Sequence, residues 1–291
     1  MEFIHPTVLL NEVTENLVKN ENGIYWDVTC GGGGHSVALL EKYKNIKLIC
    51  SDWDLNAIKA TEKRLEPYLD RVKIIYGNMG NLKALVNRHD IEKVDGFLAD
   101  FGTSRNQIMN EDGFSFMKDT YLDMRMSKGM HKKKAADILN YASEKELAYI
   151  FYEYGQEKLS RVLARKIIEE RSINKFKTTV QFAKFVEKIV PKSGKIHPAT
   201  RVFQALRIAV NDELKEIKSF LYHVNNYLKV SGTLACISFH SLEDLFVKNF
   251  LKENKEIFID LVDGIITPNE NEIKINPASR SSKLRIFQKI S

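Results

Sequence analysis

Along the first hundred residues, short apolar runs alternate with stretches in which apolar positions recur every three to four residues. Ile24-Tyr-Trp-Asp27 is such a run, and it gives way through four consecutive glycines to a helical pattern over His35–Lys42. Ile46-Lys-Leu-Ile-Cys50 follows and ends in Ser51-Asp-Trp-Asp54; Leu55–Leu65 then has helical spacing, with Pro67 just past its end. Arg71–Tyr76 reads as a third strand, Leu82–Asn87 as a short helix, and Val94–Ala99 as a fourth strand closing at Asp100-Phe-Gly102. Alternation at this spacing predicts βαβ units, and therefore a parallel sheet with helices on both faces.

The rhythm then breaks. Thr103–Met130 is loop-like, and between Ala135 and Val190 only helical periodicity occurs, in Lys145–Tyr154, Leu159–Arg171 and Val180–Val190. The α/β pattern resumes with a long helix over Leu214–Leu228. A buried strand over Val230–Phe239, entered by a Ser-Gly turn, and an alternating last strand over Lys283–Gln288 complete it. The expected architecture is α/β with an inserted all-helical domain: residues 1–107 and 206–291 form the sheet domain, and 108–205 the insertion.

Charge sharpens this division. The chain carries +6 overall, but residues 131–207 hold 17 Lys/Arg against 8 Asp/Glu, so the basic surplus sits in the insertion. A polyanionic partner is the physical implication. No run approaches the roughly 18 apolar residues of a membrane span, and Met1–Pro6 lacks the pattern of a signal peptide. Cys30, Cys50 and Cys236 are odd in number and lack C-x-x-C spacing. That argues against a disulfide framework or a metal site and for reduced thiols in a cytoplasmic protein.

Glycine is costly inside helices and strands, so Gly31–Gly34 mark a corner where a ligand can lie against backbone and a helix N-terminus. A carboxylate about twenty residues on, at the end of the second strand, is the position for ribose recognition. Asp52 fits, with Asp54 as the alternative. Read as G-x-G-x-x-G, the run lacks its last glycine, and no Gly-Lys-Ser/Thr follows, so a dinucleotide and a Walker phosphate loop are disfavoured. An acid opening the turn, Asp27, is the pattern of S-adenosylmethionine sites.

Collinear motifs extend the case. Gly33-Gly-His35, Asp95–Ser104, Asp112–Met117, Leu122–Met126, His197–Arg201, Phe203–Arg207, Ser238–Asp244 and Asn276–Arg285 occur in order, after His5-Pro-Thr-Val-Leu-Leu10. In them the sequence resembles the bacterial enzymes that methylate N4 of a cytidine in 16S ribosomal RNA. The resemblance implies a Rossmann-like S-adenosylmethionine-dependent methyltransferase sheet, and a substrate within the small ribosomal subunit or its precursor. By position it places cofactor contacts at Gly33, Gly34, His35, Asp52, Met79, Asp100 and Gln107. Three positions depart from the family pattern: Met79, commonly aromatic; Ser104-Arg-Asn-Gln107, usually Ser-Ser-Pro-Gln; and Asp27-Val-Thr29, usually Asp-Gly-Thr.

Cytosine's exocyclic amine is a poor nucleophile, so an acceptor near its hydrogens would take up charge that develops in the transition state. Asp100 is the first candidate, with orientation of the cofactor as its alternative role. His240 is the second, as base-holder or proton relay, against a capping arrangement of Ser241 with Asp244. His197 with Pro198 is expected to shape an interdomain turn. Phe114 and Phe116 are candidates for stacking a flipped base or for packing. Lys158, Arg161 and Arg165, with Lys166 beside them, form a cationic helix face, and Leu159, Val162, Leu163 and Ile167 its apolar side. The competing functions are a non-catalytic RNA-binding assembly factor and a methyltransferase of another substrate.

Overall fold

The computed structural model describes residues 7–103, 107, 108, 111–192, 194 and 196–291. Seven strands form one sheet: β1 (Ile24–Asp27), β2 (Lys47–Asp52), β3 (Val72–Tyr76), β4 (Val94–Asp100), β5 (Leu228–Ser238), β6 (Phe258–Asp260) and β7 (Lys283–Lys289). Their order is β3-β2-β1-β4-β5-β7-β6. The first five run parallel, while β7 lies antiparallel to both β5 and β6. The order reverses between β1 and β4, and the carboxyl ends of strands at such a switch point are where α/β sheets open a ligand crevice.

Strand residues alternate between two cores because successive side chains point to opposite faces. Trp26, Phe97, Ala99, Leu234, Cys236 and Phe287 pack on one side. Tyr25, Leu98, Ala235, Ile237 and Ile286 pack on the other. The Trp26 and Phe97 rings, partners across β1 and β4, stack with centroids 5.7 Å apart. Burying a large apolar side chain of this kind contributes about 1.5–3 kcal/mol. The helices outside the insertion are α1 (Leu10–Asn16), α2 (Gly34–Lys42), α3 (Leu55–Arg64), α4 (Leu82–His89), α10 (Glu213–Tyr227), α11 (Ser241–Glu253) and the short α12 (Glu270–Ile275).

Between β4 and α10 the described residues include the helices α5 (Ala135–Tyr141), α6 (Glu144–Glu153), α7 (Ser160–Arg171), α8 (Thr179–Glu187) and α9 (Ala199–Asn211). Ser143 caps α6 and a Thr178–Gln181 capping box opens α8. Their core joins Leu147, Phe151, Leu163, Ile167, Phe182, Val202 and Phe203. The chain divides into two compact units, Met1–Gly102 with Leu214–Ser291, and Thr103–Glu213.

Several local expectations are corrected. The Ser-Gly turn does not precede β5: Ser231, at φ 65°, and Gly232 sit inside a longer strand, where the register with β4 is irregular. Val162 is 38% exposed and so does not belong to the apolar side of α7. The pattern reading also placed no element at α9, α12 or β6.

Candidate active site

The glycine corner joins β1 to α2. Gly31 and Gly33 take left-handed φ values of 52° and 75°, and Gly33 is the N-cap of α2, whose first turn receives no side-chain cap. An uncapped helix start leaves backbone N–H groups for an outside partner. Gly32 lies open: a side chain there would meet nothing within 4 Å of its Cβ. The bend is therefore made by Gly31 and Gly33.

Acids at the strand ends hold this corner. Asp52, ending β2, accepts the Gly31 N–H at 2.9 Å and the Asp54 N–H at 2.9 Å. Asp54 caps α3 by accepting the Asn56 N–H at 2.8 Å. Asp27, ending β1, accepts the Ser36 hydroxyl at 2.7 Å and the Thr29 N–H at 3.3 Å. Burial pushes Asp27 up to about 7 and Asp52 up to about 6, because a charged carboxylate loses its hydration there.

Asp100 ends β4, and its N–H donates to Thr29 Oγ1 at 2.7 Å. Its Oδ2 lies 3.9 Å from His35 Nδ1. Its Oδ1 is shut off from solvent and has no hydrogen-bond partner among the described residues. Burial first, then the negative charges of Asp27 and Glu243, raise the Asp100 carboxyl well above the usual carboxylate range. His35 is buried with Nε2 at 2.9 Å from the Val8 carbonyl, so Nε2 carries the proton and donates. Burial lowers its pKa to about 4, leaving the ring neutral.

The fifth parallel strand ends in a second turn. His240 is the N-cap of α11, its Nδ1 accepting the Glu243 N–H at 3.3 Å. Glu243 in return accepts the Phe239 and His240 N–H groups at 2.6 and 3.2 Å. The capping pair is thus His240 with Glu243, not Ser241 with Asp244, because the helix begins one residue earlier than that pairing needs. Asp244 instead binds Arg285 at 2.8 Å and Lys283 at 3.1 Å, tying α11 to β7.

Gly33, Gly34, His35, Asp52 and Asp100 thus converge at the carboxyl edge of β1, β2 and β4. Met79 opens a short 3-10 turn after β3 and is half-buried against the sheet core. Gln107 is buried in the helical unit, while residues 104–106 of its loop, like His5 and Pro6, lie outside the described residues. Phe116 stacks on His197 with centroids 4.5 Å apart and meets Phe203 edge-on at 5.0 Å, so both Phe116 and His197 pack inside the helical unit. His197 also pairs with Glu187 at 2.7 Å. Phe114 is half-buried. Sequence reasoning missed Ser36, Thr29 and Glu243; Ser36 and Glu243 carried a signal, since each stands one residue from a position that was singled out.

A doubly wound sheet with antiparallel β7, a glycine corner at its switch point and acids at three neighbouring strand ends is the architecture of an S-adenosylmethionine-dependent methyltransferase. The chain belongs to the MraW methylase family, whose pattern it matches over residues 2–290. Among its relatives is the ribosomal RNA small subunit methyltransferase H of Sulfurihydrogenibium sp., 43% identical over 98% of this chain and 99% of that protein. Proteins of the same name from Nostoc punctiforme and Clostridioides difficile are 45% and 38% identical, covering all of this chain and 95% and 100% of theirs. No helix among the described residues is long and apolar enough to cross a membrane.

Proposed function

We propose that this enzyme transfers the methyl group of S-adenosylmethionine to the N4 amine of a cytidine in 16S ribosomal RNA, within the small subunit or its precursor, with Asp100 at the reacting centre. The observation that carries the reading is the Asp100 carboxylate, one oxygen without a partner, at the switch point beside an uncapped helix start. S-adenosylmethionine supplies an electrophilic methyl on a sulfonium centre.

The residues present fit that cofactor. Asp27, Asp100 and Glu243 place negative charge in a poorly solvated region, which is stable only when protons or a cationic ligand offset it. Asp100 gives up its proton more readily once positive charge lies beside it, and then serves as acceptor for the N4 hydrogens. Gly33, Gly34 and His35 offer backbone to the cofactor; Asp52 faces its ribose, since it ends β2 and reaches the glycine corner through Gly31. Met79 supplies a thioether for the adenine. His240 fixes the turn after β5. Displacement at a methyl group is in-line, so much of the rate comes from this positioning.

On the helical unit, the exposed Lys158, Arg161 and Arg165 contact RNA phosphates. Lys166 is paired with Glu169 at 2.6 Å and contributes less. The test is incubation with labelled cofactor and small subunits from cells lacking the enzyme. Label in N4-methylcytidine is expected. Cofactor binding without transfer would favour a non-catalytic assembly factor, and transfer only to another polymer would overturn the substrate assignment.

A further inference from the structure

We propose that Glu272 is a positioning residue for the cofactor corner, acting through a strap formed by Thr7, Val8 and Leu9. This rests on the reading that Gly34 and His35 hold the cofactor.

The strap meets the corner at two points. The Val8 carbonyl accepts the His35 Nε2–H at 2.9 Å, and the opposite ring nitrogen, left with a lone pair, lies 3.9 Å from Asp100 Oδ2. One backbone carbonyl therefore sets both the tautomer and the direction of a ring that is 5% exposed. At Gly34, a side chain would collide with Thr7 Oγ1 and come within 3.2 Å of Thr7 Cβ. The threonine occupies the space behind the glycine, so the first turn of α2 cannot shift backwards while the strap is in place.

The strap is anchored at Leu9. Leu9 is fully buried and holds φ 51°, ψ 38°, a left-handed conformation that a leucine adopts only under constraint. Its side chain packs in the core with Val13, Leu39 and Ile286. Its N–H donates to Glu272 Oε1 at 2.9 Å, across 263 residues of sequence. Glu272 is itself fixed in the first turn of α12, where its N–H donates to the Asn269 cap at 2.9 Å. The connection runs from Glu272 to Leu9, through the Val8 carbonyl to His35, and so to the ring nitrogen that faces Asp100. Without the latch, the binding-competent arrangement is only partly populated, and apparent affinity falls by that fraction.

The experiment is calorimetric titration of the full-length enzyme with S-adenosylmethionine, alongside steady-state kinetics. Glu272→Ala weakens binding about tenfold, the factor that one hydrogen bond of ordinary net strength controls. The cofactor KM rises equally while turnover at saturating cofactor holds. Glu272→Gln, which keeps an acceptor oxygen, restores wild-type affinity. Unchanged affinity in Glu272→Ala, or a loss that Glu272→Gln does not rescue, overturns the proposal. Failure of the wild-type enzyme to bind the cofactor would instead defeat the reading beneath it. Should Glu272→Ala not fold, hydrogen exchange on the wild type decides: cofactor must slow exchange of the Leu9 amide, and no change there overturns the latch.

Discussion

Asp52 accepts the N–H of Gly31 at 2.9 Å, so the end of β2 fixes the backbone of the turn that leaves β1. The geometry of the corner therefore depends on a neighbouring strand as well as on its own glycines, and its members can be tested one at a time.

The glycines separate cleanly. Gly33→Ala forces a Cβ into a left-handed φ of 75° and against Thr61, and should cost about 1–2 kcal/mol of stability. Gly32→Ala meets open space without a positive φ, and is expected to be neutral or stabilising by up to about 1 kcal/mol. Denaturant midpoints of the two variants check this.

Asp27 predicts a pH dependence. Its pKa rises from 3.8 unfolded to about 7 folded, so the folded state holds a proton that the unfolded state has lost between those values. Stability from this group is complete below about pH 4 and is lost as pH rises through 7. Asp27→Asn removes the dependence. The stability of wild type relative to Asp27→Asn should fall by on the order of 3–4 kcal/mol from pH 4 to pH 8. A difference constant with pH would refute the buried-acid description.

For Asp100→Asn the expected result is a turnover reduced about 10²–10³-fold, the usual cost of removing one preorganised electrostatic group at a reacting centre. Calorimetry should find cofactor affinity retained. Loss of both together would reassign Asp100 to holding the cofactor.

Replacing Lys158, Arg161 and Arg165 together with alanine should weaken RNA binding and make its salt dependence shallower, by about 2–3 in the slope of log affinity against log salt. An unchanged slope would place the phosphate contacts elsewhere.

The parallel half of the sheet was legible because its strands are buried on both faces and read as continuous apolar runs, as in Tyr25-Trp26 and Phe97–Ala99. β6 was not, since three residues give no period. The α12 helix spans only six residues and buries none of them fully, so it carries no apolar stripe. The strand-end acids were visible as residues, and their division of labour was not. That Asp54 caps α3, and that His240 pairs with Glu243, depends on where each helix starts to within one residue. Periodicity does not locate helix ends that finely.

Asp100 lies opposite Ile237 in neighbouring strands, yet the whole helical unit is synthesised between them. During translation β4 emerges with β1 available for one edge, while the edge that Phe97 and Leu98 present to β5 waits for its partner. An unpaired apolar edge of this kind is a hazard in a half-made protein. The helical unit, rich in local contacts, can fold in the interval, but the carboxylate cluster cannot assemble until β5 and the turn at His240 have left the ribosome. On this order of events the enzyme gains its reactive centre late in its own synthesis, and a chain arrested before β5 would be both inactive and prone to aggregate.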